Sequence, residues 1–449
     1  MIKKLVSILI CSLFLSLPAF AGEKVLSENA KGNIASEITV DGKGDVWTAG
    51  YDTGGGLHMR NASQGTDILM REGIEQASKG YGFAVQGEHI FAVWREKLSG
   101  SRKKLYIRAS HDGGKTLSEP VLIDDGSTEA LARIRLGTNS KGDVYVVWLS
   151  EKKTETSDYS IYAASSNDFG MTFSKPKNLT AGYNHSIYPT LLTDEENAYT
   201  FSYSQKNKKQ YMIFSKTTDG GNTWSEPLEI KEIGTVTFFI EPIKVGNRLH
   251  VFWFNSYGSE GVPIIEGAYS DDGGKTWKCT AFEETKGLDV GSLKVAYGPA
   301  GNIYLAFAGK WEDGQKSKVY MLASGDNGAT WGKPVSIRHY PYDYTTAMNP
   351  VVAAGEGGEV AVVWEDYRNI RSNLYMQYSK DGGRTWQEND IPLEEPGKFN
   401  TGLWQHSNSI ARLKDKDRYY VLSVRAKDDF LLREKLLLTD FTLKDRGAK

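Results

Sequence analysis

The stretch YSKDGGRTWQEN, residues 378–389, decides how the rest of the chain is read. One Asp is followed within five residues by two Gly, a Thr and a Trp. Such a segment either carries chemistry or turns the chain. Asp accepts hydrogen bonds from N–H groups just downstream of it and so closes an Asx-type turn. Gly takes up the φ > 0 backbone at little steric cost. Thr and Trp then open the next strand, and the indole buries a large apolar area against the hairpin. Every element serves a turn between two strands.

The stretch recurs. Ser379, Asp381, Gly383, Thr385 and Trp386 are matched by Ser110, Asp112, Gly114, Thr116 and Leu117, and by Ser166, Asp168, Gly170, Thr172 and Phe173. Three further copies run Thr217, Asp219, Gly221, Thr223, Trp224; Ser270, Asp272, Gly274, Thr276, Trp277; and Ser324, Asp326, Gly328, Thr330, Trp331. The Asp positions advance by 56, 51, 53, 54 and 55 residues. A catalytic Asp is needed once; six copies at a near-constant period mark a structural unit repeated in space.

Each copy has the same surroundings. Upstream lies an apolar strand such as GDVYVVW (142–148), NRLHVFW (247–253), GNIYLAF (301–307) or GEVAVVW (358–364). Ahead of it is a shorter strand such as YPTLLTD (188–194), a third such as NLYMQYS (373–379) leads into the turn, and a fourth such as NTWSEPLEI (222–230) leaves it. The unit is a four-stranded antiparallel sheet of about 54 residues, the blade of a β-propeller. Paired strands without a box occur at 34–50 and 409–424, which makes eight units. The fold expected is all-β: one propeller of eight four-stranded antiparallel blades, with seven as the alternative if the two end segments share a blade. No Pro/Ser-rich linker divides residues 22–449, so they read as one domain.

The first 21 residues read differently. Lys3 and Lys4 precede a short apolar run, Leu5 to Leu17, and Ala19-Phe20-Ala21 has the A-x-A form of a cleavage site. The run is about 13 residues, short of the roughly 20 that span a bilayer, so 1–21 reads as a cleaved signal peptide and the mature chain as exported, periplasmic or secreted. Cys279 is then the one cysteine left; it sits in a strand pattern and is expected to be a buried, inert thiol. A net charge of −2 points to neither nucleic acid nor an anionic membrane as partner. DDGGK lacks the spaced oxygens and terminal Glu of a calcium loop, and the seven His show no H-x-x-x-H spacing, so no metal or cofactor is expected.

The pattern S-x-D-x-G-x-T-W is the Asp-box, or BNR repeat, and the chain resembles the sialidase (neuraminidase) superfamily of propellers across nearly all of its length beyond residue 21. For an exo-sialidase the resemblance implies six blades, an Arg-Ile-Pro motif in the first, three Arg that clamp a substrate carboxylate, a Tyr nucleophile activated by a Glu, and an Asp as acid/base. This chain has no Arg-Ile-Pro; Arg133-Ile134 comes nearest, with Arg135 in the Pro position, in the third unit. VVWEDYRNIRSN (362–373) resembles the family's loop after a second strand.

The turns with boxes share one end of the sheets, so a site is expected at the other, where rigid strands present loops. The loops there carry Arg95, Tyr183, Tyr188, Tyr344, Trp404 and His406, which suit a glycan: aromatic faces meet the C–H patches of sugar rings, and Arg forks meet carboxylates. Two functions are open. One is a binding propeller for a glycan, a peptidoglycan fragment or a protein. The other is a glycoside hydrolase of sialidase type, with Arg133, Arg368 and Arg425 as clamp, Asp366 as acid/base, Tyr342 as nucleophile and Glu241 as its partner. A plainer reading pairs Arg368 with Asp366 or Glu365 as an ion pair at the rim, and has at most one of Arg133 and Arg135 facing the funnel.

Overall fold

The computed structural model describes residues 22–30, 37–73, 80–97, 103–152, 158–234, 239–256, 261–311, 316–342, 344–403, 409–413, 417–426 and 434–443. Residues 1–21, read above as the signal peptide, lie outside that set. Among the described residues the fold is all-β, interrupted by two single turns of 3-10 helix at Glu283–Thr285 and Pro299–Gly301.

The strands pair antiparallel in chain order, four to a sheet, over residues 37–71, 81–124, 130–178, 185–233, 240–281, 289–336 and 347–392. A single parallel bridge, Tyr159 to His185, links the third sheet to the fourth. The last sheet is built differently. Thr401–Gly402 and Ile410–Arg412 both pair with Tyr419–Ala426, which pairs with Glu434–Phe441. Its outermost strand comes from the other end of the chain: Gly22–Ala30 pairs antiparallel with Glu434–Phe441, Gly22 opposite Asp440.

Second strands are mostly apolar and small-polar because both faces are covered. Val46–Tyr51 is wholly buried, and in Val144–Lys152 the segment from Val144 to Ser150 is as well. Eight apolar clusters lie each between one sheet and the next. Trp47, Met59, Phe83 and Trp94 join the first two; Val351, Met376, Tyr419 and Phe441 join the seventh to the last; Ile38, Val46, Leu422 and Leu438 join the last to the first. At roughly 25 cal/mol per Å² of apolar surface removed from water, these layers dominate the stability.

The boxes are built as their composition predicts. In the last copy, Ser379 Oγ donates to Asp381 Oδ1 (2.7 Å) and accepts from Gly383 N–H (2.9 Å). Asp381 Oδ1 accepts from Thr385 N–H (2.9 Å), and Oδ2 from the Thr385 hydroxyl (2.7 Å). The Thr385 hydroxyl and N–H hold the Asp381 carboxyl down to about 2. The other five boxes repeat these bonds. Their carboxylates are spent on the turn.

Two expectations are corrected. The segment after the box is not strand from its first residue: in the fourth sheet pairing starts at Leu228, because Ser225 N–H bonds back to Lys216 and Pro227 has no N–H to offer. Cys279 is exposed rather than buried. Its strand, Lys278–Ala281, is the outermost of the fifth sheet and has a partner on one side only. The sulfur itself is sheltered beside the Ile230 carbonyl (3.8 Å), and that burial pushes the thiol pKa up.

Candidate functional site at the end opposite the boxes

Three first strands are bulged around a non-Gly residue near the end away from the boxes, and a fourth is bulged between Val290 and Ser292. In the three the irregularities fall between Ala132 and Arg135, Ile187 and Thr190, and Met348 and Val351. Within them Arg133, Tyr188 and Asn349 sit in the left-handed region, at φ 52, 58 and 52°. That conformation costs a non-Gly residue roughly 1–2 kcal/mol, so packing holds it. The Arg133 guanidinium lies 4.0 Å from the centre of the Tyr188 ring. Burial lowers the pKa of Arg133 and raises that of Tyr188, which Arg133 pulls back down. The bulge also breaks the period of two that would have put Arg133 and Arg135 on one side of the strand; both are half-buried.

Further along the first strands lies a band of charge. Lys294 Nζ donates to Glu241 Oε1 at 2.8 Å, so Glu241 is engaged by a lysine of the sixth sheet. Burial raises the Glu37 carboxyl, against the pull of Arg135 and Lys294 from two other sheets.

The seventh sheet holds the densest polar network. Asp366 is fully buried. It accepts from Arg338 Nε (2.8 Å), Arg368 Nη2 (2.7 Å) and the Trp364 indole (2.9 Å). Arg368 Nη2 also donates to Asp390 at 2.5 Å, and its guanidinium lies over Tyr340 (4.4 Å) and Tyr375 (4.0 Å). Burial alone would raise Asp366, but Arg368 and Arg338 outweigh it and hold the carboxyl at about 2. Its neighbour Glu365 points elsewhere. Glu365 accepts from Asn349 Nδ2 (2.9 Å) and Leu403 N–H (2.6 Å) on one oxygen, and from Ser372 and Tyr367 hydroxyls (3.4 Å each) on the other. Among the described residues its hydrogen-bond partners are all neutral, and burial pushes its pKa up. Two adjacent carboxyls are thus driven apart, the pattern of an acid beside a permanent anion.

The remaining candidates are dispersed. Arg425 is buried in the last sheet, bonded to Glu23 and Glu394 and stacked on Phe399 at 3.8 Å. Tyr342 and Tyr344 are 54% and 65% exposed, their rings 5.4 Å apart, with Tyr340 5.5 Å from Tyr342. Tyr183 donates to Glu229 Oε1 at 2.9 Å. Arg95 is half-buried, its charge near the Tyr51 phenol, and burial lowers its pKa. Trp404 and His406 lie outside the described residues. So the structure brings Arg133 to Tyr188, Arg368 to Asp366, and Tyr342 to Tyr344. It pairs neither Tyr342 with Glu241 nor any two of Arg133, Arg368 and Arg425.

Asn349 escaped the sequence reading, Tyr367 was given no role by it, and Glu365 entered it only as an alternative ion-pair partner of Arg368, which instead pairs with Asp366 and Asp390. A signal existed: alternation puts Glu365 and Tyr367 on one side of the strand and Asp366 and Arg368 on the other. Among the described residues no group of three or more His, Cys, Asp or Glu side chains is placed to hold a metal ion, and no helix is long and apolar enough to cross a membrane.

Comparison with known proteins agrees with this architecture. The model of the BNR/Asp-box repeat matches residues 268–278 and 377–388. A protein named sialidase from Bacteroides fragilis (strain YCH46) is 26% identical over 202 residues, which cover 42% of this chain and 36% of the relative's length. The chain therefore spans about a third of that relative. Among solved structures, polysaccharide lyase Uly1 superposes with a TM-score of 0.53 at 11% identity, covering 94% of this chain and 99% of that one. The NanB sialidase of Streptococcus pneumoniae gives 0.40 at 12% identity, covering 96% and 94%. The fold and its repeats define an Asp-box β-propeller. Within that class the chain is similar to a protein named sialidase over part of its length.

Proposed function

We propose that this protein is an exported, closed propeller of eight blades, completed by Gly22–Ala30 on the last blade, which binds a glycan at the end opposite its Asp boxes. The observation that carries the reading is the row of Tyr340, Tyr342 and Tyr344. Large aromatic surface exposed in contact marks a binding site more often than chance. It stands beside the guanidinium groups of Arg338 and Arg368. The likeness to a protein named sialidase supports a carbohydrate ligand. Glycan-array binding that falls at least tenfold in Tyr342→Ala/Tyr344→Ala, with an unchanged melting temperature, supports it; unchanged binding sinks it. Mature protein starting at Gly22 in the extracytoplasmic fraction tests export.

A glycosidase of sialidase type is the second reading, and Glu365 with Tyr367 favours it. The 3.4 Å contact supplies the Tyr–Glu pair that Tyr342 and Glu241 do not form. Arg368 and Arg425 bind internal carboxylates, which leaves Arg133 as the least committed member of the clamp. Cleavage of a fluorogenic sialoside by wild-type protein, lost in both Tyr367→Phe and Glu365→Gln, would establish it; absence of cleavage by wild type returns the site to binding.

A further inference from the structure

Four second strands carry equivalent tryptophans, and one of them differs. The Trp148 indole donates to Thr128 Oγ1 (3.0 Å), Trp253 to Glu266 Oε2 (3.0 Å) and Trp364 to Asp366 Oδ2 (2.9 Å). In each case the preceding sheet, or the chain just after it, supplies the next partner: Asp124 to Thr128, Lys231 to Glu266, Arg338 to Asp366. Trp94 is as buried as the others, yet its indole N–H has no acceptor among the described residues. The preceding sheet again offers a cation, Arg71, but it is paired with Glu96. Glu96 stands two residues after Trp94, as Asp366 does after Trp364. One methylene longer, it reaches past the indole to Arg71.

A cavity of about 390 Å³ lies at this place, between the first and second sheets, walled by Arg71, Glu72, Trp94, Glu96, Tyr106 and Arg108. Its charges cancel. Arg108 donates to the carbonyls of Ser118 (2.7 Å) and Met70 (3.3 Å), and Arg71 to Glu96. What faces the cavity is then the indole N–H, which has no acceptor, the guanidinium N–H groups those bonds do not use, and carboxylate oxygens of Glu72 and Glu96. A group that both accepts and donates satisfies that set, and a carboxylate, which only accepts, does not. Tyr106, stacked on Trp94 with 6.1 Å between centroids, and Pro120 add apolar wall. We propose that this cavity is a second ligand site, taking a neutral, hydroxyl-rich ring such as one uncharged sugar unit, with a hydroxyl oxygen on the Trp94 N–H and its proton toward Glu96. The indole nitrogen is screened from solvent; the long Arg71 and Glu96 side chains are the ones able to move and admit the ring. The inference stands on these residues and not on the reading of the tyrosine row.

The test is a titration of 15N-tryptophan-labelled full-length protein with methyl N-acetylglucosaminide and, separately, with glucuronate, watching the indole N–H resonances. The Trp94 signal is assigned by its loss in Trp94→Phe. The expected result is a saturable shift of that signal with the neutral sugar at millimolar concentration, a response at least fivefold weaker to glucuronate, and no movement of Trp148, Trp253 or Trp364. Glu96→Asp shortens the carboxylate to the length that serves Trp364, so it should move the Trp94 signal in the free protein and abolish the response to sugar. The same spectra report whether each variant is folded. Tyr342→Ala/Tyr344→Ala should leave the Trp94 response intact, which separates this site from the one proposed above. No shift at 50 mM of either sugar, a stronger response to glucuronate, or equal movement of all four indoles would overturn the proposal.

Discussion

Arg425 grips Glu23 through two hydrogen bonds, Nη1 to Oε1 at 2.9 Å and Nη2 to Oε2 at 2.6 Å, although 402 residues separate them. The same guanidinium donates to Glu394 Oε2 at 2.7 Å and to Thr401 Oγ1 at 3.2 Å. It therefore fastens the strand nearest the chain's start to its last two sheets. Removing one partner of a buried ion pair strands the others without compensation, at about 3–5 kcal/mol. Arg425→Met should lower the unfolding free energy measured in urea by that much, and should expose Gly22–Ala30 to limited proteolysis before the rest of the chain. Simultaneous loss of all regions, with no early cut there, would show that Arg425 does not act on this strand.

Acid should weaken the seventh sheet through Asp366. Its carboxyl is held at about 2 in the fold against 3.8 for the free side chain. A depressed folded value means the stabilisation is complete above pH 4 and drains as pH falls toward 2. The shift is worth about 2 kcal/mol. Unfolding followed between pH 5 and 2 should show this loss in the fluorescence of Trp364, which touches Asp366.

Glu365 works in the opposite sense. Its folded value is raised above the ordinary 4.5 by burial. The charged form is disfavoured in the fold, so its cost is absent below pH 4.5, grows as pH rises to the folded value and is constant beyond. Glu365→Gln should therefore raise the melting temperature at pH 7.5 and leave it unchanged at pH 4. Equal effects at both pH values would mean that the carboxyl is not the source.

At Gly114, Gly221, Gly274 and Gly328 the last Gly of the box sits where a Cβ would come within 3 Å of a side chain of a neighbouring sheet. Gly274 has φ +87°, and a Cβ there would come within 2.3 Å of the Phe214 ring. Strain and overpacking together predict a loss of about 2–4 kcal/mol for Gly274→Ala. Gly113 has φ +75° with nothing within 4 Å, so Gly113→Ala carries the backbone cost alone, roughly 1–2 kcal/mol. Equilibrium unfolding of the two variants should keep that order.

Cys279 should be exposed yet sluggish. The thiol pKa is raised by burial, so labelling by a disulfide reagent is expected to be slow at pH 7 and to accelerate beyond pH 9. Full reaction within seconds at pH 7 would contradict the sheltering by Ile230.

How far the sequence could be read follows from the range of each interaction. The boxes were legible because every bond in them spans at most four residues: Ser379, Asp381, Gly383 and Thr385 satisfy one another. The apolar second strands were legible because burial on both faces leaves a continuous run, as in Val360 to Trp364. Gly22–Ala30 was read only as the start of the mature chain. A strand displays its own alternation and nothing of its partner, and this partner lies some 400 positions away.

The candidate site shows the same limit. Residue type marked Arg133, Arg368, Arg425 and Asp366 as able to bind or catalyse. Only the assembled sheets decided that Asp366 would be neutralised by Arg338 from the sixth sheet, that Arg425 would meet Glu23, and that Glu365 would be left among neutral partners. By itself the sequence determined the repeating hairpin, whose hydrogen bonds close within one turn of chain. Which charges are silenced and which stay free was decided by tertiary structure, because a carboxylate's chemistry is set by whatever cation or wall the fold carries to it.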